Sequence, residues 1–415
     1  MGSPRRSLVI IGSGWAGHSL AQSVDEKKYK ITVLSPEPTS AYTPLLASAA
    51  TGLFDFSLAE EPVRHKSKLI KYIQARVDDI DFASKVCHCT PAFESMAHQH
   101  FDIAYDQVVI APGCASQTFQ TPGVGEHAMF VRTVRDAIAV RSRFRDILEM
   151  ASLPIVDEQK QRDLLHIVIV GGGPTGVELA AEMYDLVNED FNVLYPHLKD
   201  KITIALHDVA PHILPSFEAK LSEYAMSSFV HRRVDIKCQS HIEKVEADCL
   251  YTKEDGRIPY GMMVWATGNK QVPLVDRLSV MKSTGLPRII TESHLRVLRP
   301  DGSVIEDAFA LGDAADIEGA TLPTTAEVAC QKADYLTKVL NYGNKEPFAY
   351  KQKALVAYLG HHDGVVGGRE DWSGHAAWIA WRSKNLLWTR SWRRKLMIIL
   401  NWLLNKIGGK EVARN

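Results

Sequence analysis

Apolar and polar positions divide the chain into a scheme that runs twice. Leu8-Val-Ile-Ile11 is an unbroken apolar run that meets Gly12-x-Gly14-x-x-Gly17 directly. A short continuous apolar run bounded by glycines predicts a strand buried on both faces, turning sharply into a helix that lasts to about Asp25. Residues 30–34 predict a second strand. Residues 71–77 and 85–90 alternate with period two and predict an antiparallel pair. The stretch from Tyr105 to Gly113 predicts a strand ending in a small-residue turn. The scheme then begins again. Residues 134–150 carry apolar groups at helical spacing, and the polar, proline-containing 151–163 predict a loop. His166-Ile-Val-Ile-Val170 runs into Gly171-x-Gly173-x-x-Gly176, followed by an amphipathic helix. Residues 201–206 predict its second strand, and Met262 to Gly268 repeats the pattern of Val108 to Gly113. Phe309 to Ala315 predicts one more strand, ending in Gly312-Asp313.

The chemistry of this pattern is phosphate binding. The first glycine permits the tight turn, the second lets backbone approach a phosphate, and the third lets the helix pack close on the strand. The N–H groups at the helix start then hold a pyrophosphate. One copy also occurs in plain structural loops. Two copies, starting 159 residues apart, are far more specific. In the first unit the position for a ribose-binding acid is Ser35, followed by Pro36-Glu37, so either Ser35 takes that hydrogen bond or Glu37 reaches it. In the second unit Asp208 lies just past the strand end. There it would accept from both adenosine ribose hydroxyls and repel a 2′-phosphate, favouring NADH over NADPH; the alternative is a solvated turn residue. Glu178, two residues after Gly176, would either face the nicotinamide side or serve as a first-turn acid favoured by the helix dipole. In flavoproteins with two such units, a strand ending in Gly-Asp puts the Asp on the ribityl chain of FAD, and Asp313 would be that residue here; the alternative is a helix N-cap. Gly113 and Gly268 close the matching small turns.

Composition narrows the classes. The 415 residues suffice for two or three domains, and 46% apolar content provides a sizeable core. A net charge of −1 gives no drive toward nucleic acid. Six scattered cysteines make no disulfide scaffold, and Cys87-His-Cys89 lacks the second pair a zinc site needs. His361-His-Asp363 sits between glycines and reads as a polar loop, so no metal is expected. No apolar run reaches the roughly 20 residues of a spanning helix. Neither a presequence nor a myristoylation signal is visible, Arg6 standing where the latter needs Ser or Thr.

The charge is uneven. From Arg382 onward there are nine Lys/Arg against Glu411 alone, a balance of +8 that leaves −9 for the rest. Six of the eight Trp residues fall in the last 44 positions. On a helical wheel over 391–406, Trp392, Leu396, Ile399, Leu400, Leu403 and Ile407 share one side, with Arg394, Asn401 and Asn405 opposite. That pattern predicts either an in-plane interfacial helix with a positive edge for anionic lipid or a helix docked on the core; Trp density and charge favour the membrane.

The chain resembles the two-dinucleotide-fold flavoproteins and, more narrowly, the type II (alternative, non-proton-pumping) NADH:quinone oxidoreductases. The resemblance rests on Tyr42-Thr-Pro-Leu-Leu46, Gly171 to Glu182, Asp208-Val-Ala-Pro211, Gly312-Asp313 and Ala326-Glu-Val-Ala-Cys-Gln331. It implies an α/β fold with FAD on the first unit and NADH on the second, Thr43 beside the cofactor ring, and hydride transfer followed by reduction of a quinone. The last motif resembles the family's quinone-bordering helix. Gln331 matches there, whereas Glu327 replaces the family's first Gln and Ala47 a frequent Pro. Gln331 and the 42–46 segment would line the quinone tunnel above the C-terminal helix. Disulfide reductases need a cysteine pair that residues 35–60 lack; Cys114 and Cys330 read as small buried residues. Two alternatives stay open. A quinone reductase of the ferroptosis-suppressor or apoptosis-inducing-factor type needs neither the Gln331 helix nor the Trp-rich tail. A redox-responsive FAD- and NADH-binding protein would use the same glycines.

The expected architecture is two Rossmann-like dinucleotide-binding domains plus a membrane-associating segment. FAD binding falls to 1–125 and 290–345, NADH binding to 126–289, and membrane association to 346–415. The resemblance places the protein peripherally on the mitochondrial inner membrane, with homodimerisation left open.

Overall fold

The computed structural model describes residues 4–64, 69–368 and 370–410. Glu411 and Arg414, part of the tail's charge balance, lie outside the described residues. The chain forms two compact units. One comprises residues 1–41, 61–115 and 269–352; the other comprises 42–60, 116–268 and 353–415.

The first unit is built on a ten-stranded sheet. Strand Arg6–Ile11 lies between Tyr29–Ser35 and Gln107–Ile110, parallel to both. Val304–Ala310 continues the parallel run beside Gln107–Ile110, and Ile70–Asp81 continues it beside Tyr29–Ser35. The predicted antiparallel pair forms between Ile70–Asp81 and Val86–Pro91, with an irregularity between Val77 and Asp79. Alternation of side chains explains why the strands read as unbroken apolar runs. Val9, Ile11, Val108 and Ile110 enter one core cluster, while Leu8, Ile10, Ile31 and Val109 enter the other. Helices Trp15–Ser23 and Ala326–Tyr342 cover the second face. The chain leaves Arg6–Ile11 for a neighbour on either side, so the strand order reverses there. That reversal opens a crevice at the carboxyl ends of the strands.

The second unit holds a four-stranded parallel sheet in the order Val234–Lys237, Thr203–His207, His166–Val170, Met262–Trp265. A three-stranded antiparallel sheet runs from Ile242 to Pro259. Helix Val134–Ala151 starts with a capping box, Thr133 and Asp136 satisfying each other's backbone N–H groups. Helix Pro174–Leu186 continues into a π-helical turn at Val187–Phe191. Strands Leu355–Gly360, Asp363–Gly367 and Trp372–Ser373 form an antiparallel sheet, followed by helices His375–Trp388 and Trp392–Gly408.

Three expectations change. Residues 151–163 are not all loop: Glu158–Leu164 is a helix capped by the Asp157 carboxylate, with Arg162 paired to Glu158. The compact units divide after 115, 268 and 352. Residues 269–289 join the first unit because Val272, Leu274, Val275, Leu278 and Val280 pack into its core. Tyr42–Glu60 joins the second, because Ser48 donates to Glu182 and Tyr42 accepts from the Arg390 backbone.

Candidate functional site

In the first unit the glycine turn has the geometry its spacing predicts. Gly12 has φ +100°, and a Cβ there would lie 2.2 Å from the Ala111 carbonyl oxygen. A Cβ on Gly17 would lie 2.1 Å from the Gly12 carbonyl oxygen, so helix and turn touch. Gly14 caps helix Trp15–Ser23 and faces open space, leaving the first-turn N–H groups accessible to a phosphate. Ser35 is buried, its hydroxyl 2.9 Å from that of Ser13. Ser13 reaches on to the carbonyls of Glu37 and Thr39, so this serine pair braces the loop. Glu37, half-buried, makes no side-chain hydrogen bond or ion pair among the described residues.

The strand-end turns of the same unit meet nearby. Gly113 has φ +73°, and Cys114 after it donates from Sγ to Asp313 Oδ2 at 3.2 Å. Gly312 tucks between Ala16 and Ala329. Gln271 is buried; its Nε2 donates to the Asp313 carbonyl at 3.3 Å, while its Oε1 has no partner. An orphaned buried acceptor beside Asp313, together with the open helix end at Gly14, fits a bound dinucleotide with hydroxyl donors. These residues accommodate FAD.

In the second unit Gly171 has φ +117° and would clash with Thr267 and Ala266 if it carried a Cβ. Gly176 repeats the close contact, 1.9 Å from the Gly171 carbonyl oxygen, and Gly173 caps its helix in open space. Asp208 is turned into this loop. Its Oδ2 accepts from the Gly172 N–H and its Oδ1 from the Ala210 N–H at 2.7 Å. Each oxygen keeps a lone pair, so the carboxylate is pre-oriented at the strand end. Gly268 has φ +76° and packs on Gln117 and Phe119.

Helix Pro174–Leu186 buries a row of acids that the sequence reading did not assemble. Glu178 accepts from Trp381 Nε1 at 2.7 Å, and burial pushes its carboxyl up to about 8. Glu182 accepts from Ser48 at 2.6 Å and Thr51 at 3.3 Å. Asp185 accepts from the Tyr358 hydroxyl and, at 2.8 Å, from the His361 N–H. Burial raises both of these carboxyls as well. Trp381 stacks on Tyr358 with ring centroids 4.7 Å apart. The acids' spacing of four and then three residues was the available signal, since it sets one helix face.

The remaining predicted residues are distributed as follows. Thr43 is exposed at the start of the turn Thr43–Leu45, behind a fully buried Tyr42. Gln331 commits both amide protons, one to Glu327 Oε1 at 2.7 Å and one to the Lys351 carbonyl at 2.9 Å, and accepts from the Lys351 N–H at 3.0 Å. Helix Trp392–Gly408 turns its apolar side outward, with Trp392 76%, Leu403 56% and Ile407 87% exposed. Its other side docks: Ile398 is buried, and Asn405 donates to the carbonyls of Gly52 and Leu53. Arg382 lies between the rings of Trp378 and Trp402, 5.2 and 4.1 Å from their centroids. Lys410 closes the segment, its N–H on Asp190 and its Nζ 3.2 Å from Glu189. Among the described residues no helix is long and apolar enough to cross a membrane, and no group of three or more His, Cys, Asp or Glu is placed to hold a metal.

Comparison with known proteins gives a consistent picture. The family model described as pyridine nucleotide-disulphide oxidoreductase matches residues 6–333. A Dictyostelium discoideum protein named probable NADH dehydrogenase is 35% identical, over 98% of this chain and 90% of its own length. A Solanum tuberosum internal alternative NAD(P)H-ubiquinone oxidoreductase A1, mitochondrial, is 32% identical over 98% and 88%. The Plasmodium falciparum NDH2 structure in complex with NADH superposes with a TM-score of 0.92 at 22% identity, covering 99% of this chain and all of that one.

Proposed function

The chain belongs to the pyridine nucleotide-disulphide oxidoreductase family, and from that premise we propose that it is a non-proton-pumping, FAD-dependent NADH:quinone oxidoreductase. The observation that carries this reading is the pair of strand–glycine–helix turns, each with its helix N-terminus facing open space at Gly14 and Gly173. Bound FAD would supply hydride acceptance from NADH and two-electron transfer to a quinone. The first-unit turn would hold its pyrophosphate, Asp313 its ribityl chain, and Glu37 its adenosine ribose, because Ser35 is spent on Ser13. The second-unit turn holds the pyrophosphate of NADH, and Asp208 reads its ribose.

Glu178, pushed up to about 8 by burial, keeps a proton at neutral pH, and Trp381 orients its carboxyl through Oε1. A neutral, oriented carboxyl can sit on the nicotinamide side without repelling an electron-rich ring. Gln331 and Glu327 hold the Lys351 connector; with both amide protons committed, Gln331 has none for a quinone carbonyl. Its role is therefore positioning.

The outward apolar side of Trp392–Gly408, rimmed by Arg393, Lys395 and Lys406, supports an interfacial membrane helix. A lipid-soluble acceptor is reached from such a surface. The mitochondrial names of relatives support a place in that organelle, and the outward apolar helix supports a peripheral position on its inner membrane.

The test is optical. Purified protein is expected to be yellow, to be bleached by NADH, and to regain colour on adding a short-chain quinone. Persistent bleaching with quinone present would sink the proposal.

A further inference from the structure

Helix Ala326–Tyr342 buries a charge that the proposed reaction leaves unused. Lys332 is 0% exposed, and its Nζ donates to the Ala315 carbonyl at 2.8 Å. That is its one hydrogen bond among the described residues, for a group with three protons to give. The charged groups facing it are Asp316, Arg288 and Asp313. Asp316 is already occupied: Arg288 donates to its Oδ1 at 2.7 Å, and the Leu322 N–H at 3.1 Å. The Arg288–Asp316 pair therefore cancels itself, and Lys332 is left facing Asp313. A buried, under-satisfied ammonium is expensive, and a methionine would fill the same volume without that penalty.

The surroundings say where its field acts. Ala315 follows the turn Gly312–Ala314, which ends strand Val304–Ala310 at the carboxyl edge of the sheet. Gly12 turns at the same edge, and Gly312 touches Ala16 on the helix that follows it. Lys332 thus lies directly behind the floor of the crevice where the strand order reverses.

We propose that Lys332 is an electrostatic positioning residue that raises the reduction potential of the FAD held in this crevice. The inference rests on the FAD reading above. Reduction of an isoalloxazine by two electrons and one proton adds a negative charge to the ring, and a fixed cation behind the site favours that form. Arg288 and Asp316 contribute little because they neutralise each other; Asp313 offsets part of the Lys332 field, and removing the cation alone leaves that carboxylate uncompensated.

The experiment measures the midpoint potential of the holoprotein by equilibration with a reference dye, for wild type and Lys332→Met, with FAD content and melting temperature taken alongside. The expected result is full FAD content in both and a more negative midpoint in the variant, by at least about tenfold in the reduction equilibrium, or about 30 mV for a two-electron couple. Equal midpoints at equal FAD content would overturn the proposal. Should Lys332→Met fail to retain FAD, the wild-type midpoint is followed from about pH 6.5 to 9.5. Burial lowers the Lys332 ammonium to about 8, so the midpoint should fall more steeply above that pH; a line without a break overturns the proposal. Colourless wild-type protein would instead remove the FAD reading itself.

Discussion

Burial keeps the proton on a carboxyl to high pH even where an indole N–H donates to it and pulls the other way, and Glu178 is such a group. Its value rises from 4.5 to about 8, chiefly through burial. A folded-state value above the unfolded one means that the folded state binds the proton more tightly. The associated stability is fully present below about pH 4.5 and is lost as pH rises toward 8, each pH unit in that window corresponding to about 1.4 kcal/mol. Glu178→Gln never has to ionise, so its melting temperature should fall less than that of wild type between pH 6 and 9; parallel curves would show that Glu178 titrates normally. Asp208 makes a different prediction. On the proposed ribose contact, Asp208→Ala should cost about ten- to a hundredfold in NADH affinity and erase most of the preference over NADPH in stopped-flow reduction. The glycines at both turns were legible because the sterics of a tight turn are local. The partner of Glu178 was not, since Trp381 lies 203 residues further along the chain. Lys332 was invisible for the same reason: nothing near it in sequence announces Ala315 or Asp313.

The helix after each turn is held by contact at its third glycine. A methyl on Gly176 would sit 1.9 Å from the Gly171 carbonyl oxygen, against backbone that cannot swing away. Gly176→Ala should therefore destabilise by about 1–3 kcal/mol in thermal unfolding and weaken NADH binding in titration. At the other end of the chain, Trp392–Gly408 puts its apolar side outward and docks through Ile398 and Asn405. The wheel read from sequence gathered the apolar residues on one side and favoured the membrane for that side, with core docking as the alternative. Direction depends on Gly52, Leu53 and Trp378, which are far away in the chain. Replacing Leu400 and Leu403 with Glu should leave the fold intact and reduce sedimentation with anionic vesicles at least tenfold, since each buried Leu contributes about 1.5–3 kcal/mol. Unchanged sedimentation would mean that this helix does not meet lipid. The helix Glu158–Leu164 escaped notice because its polar sequence has no apolar period; its start signal, Asp157, was there to be read.

Ligands that bind only the folded protein raise its stability by mass action. NAD⁺ at a hundred times its dissociation constant should add about 2.7 kcal/mol, and Asp208→Ala should gain less at the same concentration; equal gains would move NAD⁺ away from the second turn. At this scale the scheme of two nucleotide units was legible in the repeated strand–glycine–helix pattern. The division into units was not. Tyr42–Glu60 reads as an extension of the first unit, yet Ser48, Thr51 and Tyr42 make their hydrogen bonds in the second. The acid row on Pro174–Leu186 has a consequence in time as well. Its partners Tyr358, Trp381 and Lys410 leave the ribosome long after Glu178 and Asp185. At about 5–20 residues per second, the 203 residues between Glu178 and Trp381 take on the order of 10–40 s to synthesise. Through that interval the nascent nucleotide helix carries a row of acids with no indole, phenol or ammonium to meet them, so the second unit closes only once the segment carrying Tyr358, Trp381 and Lys410 has emerged.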